Sequence, residues 1–197
     1  MSASVDSSYR NNTTGVNFVI TKYTGSSDVT NASQTFSGGT TGDGPTGIDF
    51  TVEFAIAKNR DDDSTDWVVY HKDCTASNKH LKLNTTGGEF TATADYPLIE
   101  PNVGSSGTNI TVRNNSTAAT NLNELDKNYI LYSWGGGETA KFGSYTGMGT
   151  ATQGPFVYLG FKPSLLIIHN TTGSNLTYNS WLMLDGQRST YNVRDDT

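Results

Sequence analysis

The most regular alternation in the chain is at residues 50–57 (FTVEFAIA), where Phe50, Val52, Phe54 and Ile56 share one face of an extended strand and Thr51, Glu53 and Ala55 share the other. That pattern predicts a strand with one side in a core. Residues 16–23 (VNFVITKY) predict a second, with Val16, Phe18 and Ile20 on one face and the turn Thr24-Gly25 behind it. The charged turn at 58–66 (KNRDDDSTD) delivers Trp67 to a return strand over 67–70, so the two make a hairpin. Leu81 and Leu83 mark a short strand bounded by the turn at 84–88, and weaker strand patterns cover 90–94 and 110–112. Residues 129–134 (YILYSW) predict an aromatic strand that Gly135-Gly136-Gly137 ends. Residues 1–15 are polar without an apolar period and read as an arm, or as a strand edge that needs a partner. Residues 26–47, rich in Ser, Thr and Gly, read as an elaborated loop with one short edge strand. Leu122 and Leu125 predict one helical turn over 121–127, in a context of Asn and Asp that disfavours helix.

Residues 141–170 restate pieces of this first part in the same order. Tyr145-Thr146-Gly147 lies 122 positions after Tyr23-Thr24-Gly25, and 141–146 restates the strand that ends there. Phe161, Leu165, Ile167 and Asn170 lie 111 positions after Phe50, Phe54, Ile56 and Asn59, and Trp181 lies 114 after Trp67. The offsets differ by 11 residues inserted in the Ser/Thr/Gly loop of the first copy and by three added to the hairpin loop of the second. Length changes confined to loops, with strand spacing kept, mark a structural repeat. The predicted organisation is an arm over 1–15, a first β-sandwich repeat over 16–137, and a second repeat over 138–197. The second holds about half of its elements, so it is truncated or completed by another chain.

Composition supports an all-β chain. Of the 197 residues 34% are hydrophobic, enough for a globular fold, while plentiful Gly, Ser, Thr and Asn favour short strands and many turns. The net charge of −6, with no block of Lys or Arg, argues against nucleic acid and anionic membrane surfaces as partners. No apolar run approaches a membrane span, and MSASVDSSYRNN lacks the pattern of a signal peptide, so the expectation is a soluble chain made in the cytoplasm. Cys74 is the single cysteine, which excludes an internal disulfide and metal sites built on several cysteines.

Four series carry a family resemblance: Phe142-Gly-Ser-Tyr-Thr-Gly-Met-Gly, Gly154-Pro-Phe-Val-Tyr-Leu-Gly-Phe-Lys-Pro, Ile167-Ile-His-Asn, and Trp181-Leu-Met-Leu-Asp-Gly-Gln-Arg. Together with Ala57-Lys58-Asn59-Arg60, Asp66-Trp67-Val68-Val69-Tyr70-His71 and the strand at 129–134, the chain resembles a repeat of tail-fibre and other virion proteins of marine tailed phages. The matches span residues 16–188. The resemblance implies an antiparallel β-sandwich of lectin-like, jelly-roll or concanavalin A-like type. It brings no catalytic residues with it.

The chemistry of single residues is sparse. His71, His80 and His169 are scattered without metal-ligand spacing, so structural roles are expected for them. There is no nucleophile elbow, and Gly135-Gly136-Gly137-Glu138 lacks the ending of a phosphate loop. Asp61-Asp62-Asp63 reads as a solvated hairpin tip, with a hard-cation site as the alternative. Trp67, Trp134 and Trp181 are the rings on which a sugar could stack, although Trp67 and Trp181 hold equivalent repeat positions and favour a core or inter-sheet role. Tyr96, Tyr178 and Tyr191 lie nearer to loops. No residue is assigned as catalytic, cofactor-binding or metal-ligating, no cofactor is expected, and the ligand-binding residues stay unassigned.

The expectation for function is therefore a non-enzymatic virion structural protein of fibre or appendage type, assembled in the host cytoplasm and exposed outside after release. Its partners would be copies of itself, as a trimer by analogy with tail fibres, other virion proteins, and host surface polysaccharide. The alternatives are a capsid or neck decoration or filament-forming protein that binds only virion subunits, and a glycan-cleaving tailspike domain, which needs two opposed carboxylates.

Overall fold

The computed structural model describes residues 5–11, 17–37, 48, 50–92, 96–101, 108–150, 152–172 and 180–186. Along them run β1 (Val5–Asn11), β2 (Asn17–Thr24), β3 (Ser33–Ser37), β4 (Phe54–Asn59), β5 (Val68–His71), β6 (Lys79–Lys82), β7 (Phe90–Thr91), β8 (Ile99–Pro101) and β9 (Asn109–Arg113). A 3-10 turn at Ala118–Thr120 follows, then β10 (Asn128–Gly135), β11 (Leu165–Ile168) and β12 (Leu182–Asp185). One sheet has the order β1-β2-β10-β4-β5-β6-β7, a second β3-β9-β8, and β11 and β12 form a separate hairpin. All these pairings are antiparallel, so the all-β class expected from composition is what the chain adopts.

The two larger sheets pack face to face as a β-sandwich. The inner face of the first is made by alternate residues: Val19, Thr21 and Tyr23 of β2, Tyr129, Leu131 and Ser133 of β10, and Ala55 and Ala57 of β4. Phe36, Ile99, Ile110 and Val112 of the second sheet complete the core. At its centre Tyr23 stacks on Tyr129 with ring centroids 5.0 Å apart, and meets Phe36 across the sandwich at 4.8 Å. Buried phenols need partners for their hydroxyls. The Tyr23 hydroxyl donates to the Leu122 carbonyl at 2.8 Å, and the Tyr129 hydroxyl accepts the Glu124 N–H at 3.2 Å. Burial pushes both phenols up, Tyr129 to about 12, so neither ionises near neutrality.

Several sequence expectations are corrected here. The helical turn lies at Ala118–Thr120 rather than within 121–127, because the segment after it is held open by the two tyrosine hydroxyls. Of the two readings of the polar N-terminal stretch, an arm or a strand edge that needs a partner, the strand edge holds for β1, whose partner is β2. Residues 141–146 form no strand. In 50–57 the buried positions change from Phe50 and Val52 to Ala55 and Ala57, so Phe54 and Ile56 point away from the core. The pleat changes phase at Glu53, whose N–H bonds the Trp134 carbonyl at 2.8 Å just before β4 begins. The small Ala57 then fits beside Leu131, its cross-strand partner.

The pairing of β11 with β12 reproduces that of β4 with β5. Phe54↔His71, Ala55↔Tyr70, Ile56↔Val69 and Ala57↔Val68 become Leu165↔Asp185, Leu166↔Leu184, Ile167↔Met183 and Ile168↔Leu182. These are the offsets of 111 and 114 read from the sequence. The surroundings differ. Tyr23 and Val68 are 0% exposed, whereas Tyr145 and Leu182 are 51% and 49% exposed. A Cβ on Gly25 would lie 1.9 Å from the Glu124 carbonyl oxygen, whereas one on Gly147 would meet nothing within 4 Å.

Two outcomes follow for stability. Gly25→Ala is expected to cost about 2–3 kcal/mol in denaturant unfolding, because the clash is with backbone, while Gly147→Ala stays within about 0.5 kcal/mol. The second concerns His80, buried on β6, whose Nε2 accepts the Ile99 N–H at 3.1 Å and so ties the first sheet to β8. Burial lowers its pKa from 6.5 to about 4. The unfolded chain takes up a proton below pH 6.5 that the folded chain refuses until about pH 4. Stability is thus full above pH 6.5 and declines as pH falls to 4, by at most about 3 kcal/mol from this group. Burial depresses His71 in the same direction. Melting temperatures between pH 7 and 4 should fall for the wild type and fall less for His80→Asn.

Candidate functional site

The outer face of the first sheet is where large apolar side chains are left beside water. The alternation that sends Val19, Ser133 and Ala55 inward sends Phe18, Trp134 and Phe54 outward on β2, β10 and β4. Register makes them neighbours: Trp134 is the cross-strand partner of both Phe18 and Phe54, and Phe54 that of His71 on β5. The result is a row of half-buried rings across four strands. Phe18 and Trp134 stack with centroids 4.8 Å apart, Trp134 and Phe54 lie 5.4 Å apart, and His71 meets Phe54 edge-on at 6.1 Å. Tyr132 extends the row along β10, 6.0 Å from Trp134, and Phe142, beyond the glycine run, stacks on Phe54 at 5.5 Å.

Polar groups rim this row. The Glu53 carboxylate pairs with the Lys72 ammonium at 3.1 Å, and both side chains are partly open to solvent. Asn17 donates from Nδ2 to the Gly136 carbonyl at 2.8 Å. A Cβ on Gly136 would stand 2.8 Å from the Glu53 carboxylate, so the chain leaves β10 close against the end of that side chain. The His71 Nδ1 accepts the Asp73 N–H at 3.1 Å, and burial keeps the ring neutral near pH 7. The arrangement offers flat apolar surface beside one carboxylate, one ammonium and amide groups. Such a surface can stack the apolar face of a sugar ring and take its hydroxyls.

The other residues singled out from sequence fall elsewhere. Asp61-Asp62-Asp63 sits at the β4–β5 turn. There Asp61 accepts the Asn128 N–H at 2.7 Å, and Asp62 accepts the Ser64 N–H at 2.9 Å and its hydroxyl at 2.6 Å. Lys58 ties the same turn by donating to the Asp62 and Thr65 carbonyls at 2.9 and 2.6 Å. Among the described residues no group of three or more His, Cys, Asp or Glu is placed to hold a metal ion. His80 is buried between sheets, as described above. Trp67 and Trp181 are not core residues. The Trp67 N–H bonds the Asn84 side chain at 3.0 Å, while Trp181 donates from Nε1 to the Lys82 carbonyl at 3.0 Å and stacks on His169 at 4.3 Å. His169 in turn reaches the Gly87 carbonyl at 3.0 Å, so this pair fastens the β11–β12 hairpin to the β6–β7 turn. Exposed Tyr96 lies under the Arg113 guanidinium, 5.4 Å from its ring centre. Tyr178 and Tyr191 lie outside the described residues.

Sequence reasoning found Trp134 but put Phe54 on the face expected to enter a core, and gave Phe18 a shared strand face without assigning that face to core or solvent. The signal that would have placed them is the two-faced apolarity of 129–134, where Tyr129 and Leu131 alternate with Ile130, Tyr132 and Trp134. A strand apolar on both faces needs cover on both.

No curated protein matches the chain, and no solved structure does. Among the described residues no helix is long and apolar enough to cross a membrane. A family model described as a domain of unknown function (DUF7483) matches residues 2–197, a span that takes in the sandwich, the aromatic row and the β11–β12 hairpin together. The chain belongs to that family.

Proposed function

We propose that this chain is a virion structural protein of tail-fibre or appendage type, assembling with copies of itself and holding host surface glycans on the aromatic row. The observation that carries the reading is the row of Phe18, Trp134 and Phe54 with the Glu53–Lys72 pair at its rim. Rings at about 5 Å spacing on a rigid sheet are preorganised, so little ordering entropy opposes binding. Several copies per particle would turn weak contacts into firm attachment. The resemblance of 141–188 to phage fibre repeats supports the same reading. The division into repeats over 16–137 and 138–197 belongs to this proposal, and the repeated hairpin register supports it.

A second reading, a decoration protein that binds only other virion subunits, is favoured by the exposed apolar side chains of β11 and β12. Titration of the full chain with bacterial surface polysaccharides, followed by tryptophan fluorescence, separates the two. Binding that Trp134→Ala weakens about tenfold or more supports the adhesin. Absence of binding to any polysaccharide or cell surface favours the decoration protein, and shortening of the polysaccharide during incubation would instead make the chain a glycan-cleaving enzyme.

A further inference from the structure

The apolar hairpin at the far end of the chain poses a separate question. Among the described residues neither β11 nor β12 has a second strand neighbour. Leu165, Leu166, Ile167, Leu182 and Met183 are all exposed, on both faces of the hairpin. Their counterparts at the same register positions in β4 and β5 include Ala55, Val68 and Val69, each 0% exposed because a second sheet and neighbouring strands cover them. In that first hairpin the far edge of β4 pairs with β10, and the edge of β11 that corresponds to it carries no strand among the described residues. Just before β11, Phe156 and Tyr158 are 90% and 83% exposed.

Area and charge indicate what covers this surface. Weighted by these exposures, at about 150–250 Å² for each full aromatic side chain and somewhat less for each aliphatic one, these residues present roughly 600–900 Å² over the two faces of the hairpin and the segment before it. A monomer's largest apolar patch is ordinarily about 300–600 Å², and a stable dimer buries about 800 Å² on each partner. In a chain of net charge −6, the described residues of 152–172 and 180–186 carry only Lys162 and Asp185 as charged side chains. Two such surfaces therefore meet without like-charge repulsion. The strand Leu165–Ile168 is apolar at every position, so an antiparallel copy of itself places apolar residues opposite apolar residues on both faces.

We infer that β11 pairs edge to edge with β11 of a second copy of this chain across a two-fold axis, joining the two hairpins into one four-stranded sheet. Such an interface is isologous and closes at two chains. The inference deepens the assembly half of the proposed function and rests on it, while the glycan half is independent of it.

Sedimentation of the full chain over a concentration series, beside Leu165→Lys/Ile167→Lys, tests the pairing. Both substituted positions are exposed, so the variant should keep the wild-type circular dichroism and a cooperative melting transition. The expected result is a wild-type dimer and a folded, monomeric variant whose dissociation constant is raised at least 100-fold. A wild type that stays monomeric to about 100 μM, well above the micromolar range of ordinary dimers, overturns the inference and the assembly reading together. An oligomer that the variant leaves intact, or a wild-type trimer by mass, overturns the β11 pairing and leaves assembly through another surface. Should the variant fail to fold, Phe156→Ser/Tyr158→Ser provides the same comparison outside the strand, with at least a tenfold loss expected and an unchanged dimer overturning the inference.

Discussion

The structure depends on β10, the strand that joins two parts of the chain far apart in sequence. It pairs with β2 along one edge and β4 along the other, over Asn128–Gly135 and Tyr129–Trp134 respectively. Those contacts close one loop of roughly a hundred residues and another of roughly seventy, whose ordering is unfavourable until side chains reward it. The reward comes from both faces of one strand. Inward, Tyr129 and Leu131 enter the core beside Tyr23, and the hydroxyls of the two tyrosines tie down the 122–124 segment that leads into β10. Outward, Tyr132 and Trp134 make the middle of the aromatic row. Core and candidate site are therefore two sides of the same pairing, and a register slip of one residue would exchange them.

The sequence carried much of this because strand alternation and repeat offsets are local or strictly periodic quantities. The first hairpin and its restatement near the end of the chain were legible as a pair, and the offsets of 111 and 114 carry the register of β4–β5, once known, over to β11–β12. Less legible were elements without a period. Ile99–Pro101 is too short to show one, and Ser33–Ser37 has a single large apolar residue, Phe36, whose role appears only when Tyr23 meets it from the opposite sheet. The outward turn of Phe54 and Ile56 was hidden for a different reason. Binary pattern over 50–57 is unbroken, and the phase change at Glu53 arises from backbone bonds to Trp134 and Lys72 that no local window contains.

The two hairpins show how one pattern takes two environments. Around β4 and β5 the small Ala55 and Ala57 suit a crowded interior, and Gly25 lets two segments touch backbone to backbone. Around β11 and β12 the equivalent positions carry Leu166 and Ile168, and Gly147 stands in open space. Larger apolar residues at positions with less cover are what an interface between separately folded surfaces requires. The hairpin is not loose for lack of attachment, because Trp181 and His169 fasten it to the β6–β7 turn. It is held in place with its apolar faces presented outward.

Native-state hydrogen exchange tests most directly the claim that the sandwich is built around β10 while the hairpin stands apart. At low protein concentration, amides of β10, β2 and β4 should exchange only through global unfolding, and those of β11 and β12 through a much cheaper local opening. Equal protection of all five strands at every concentration, or fast exchange in β10, would contradict it.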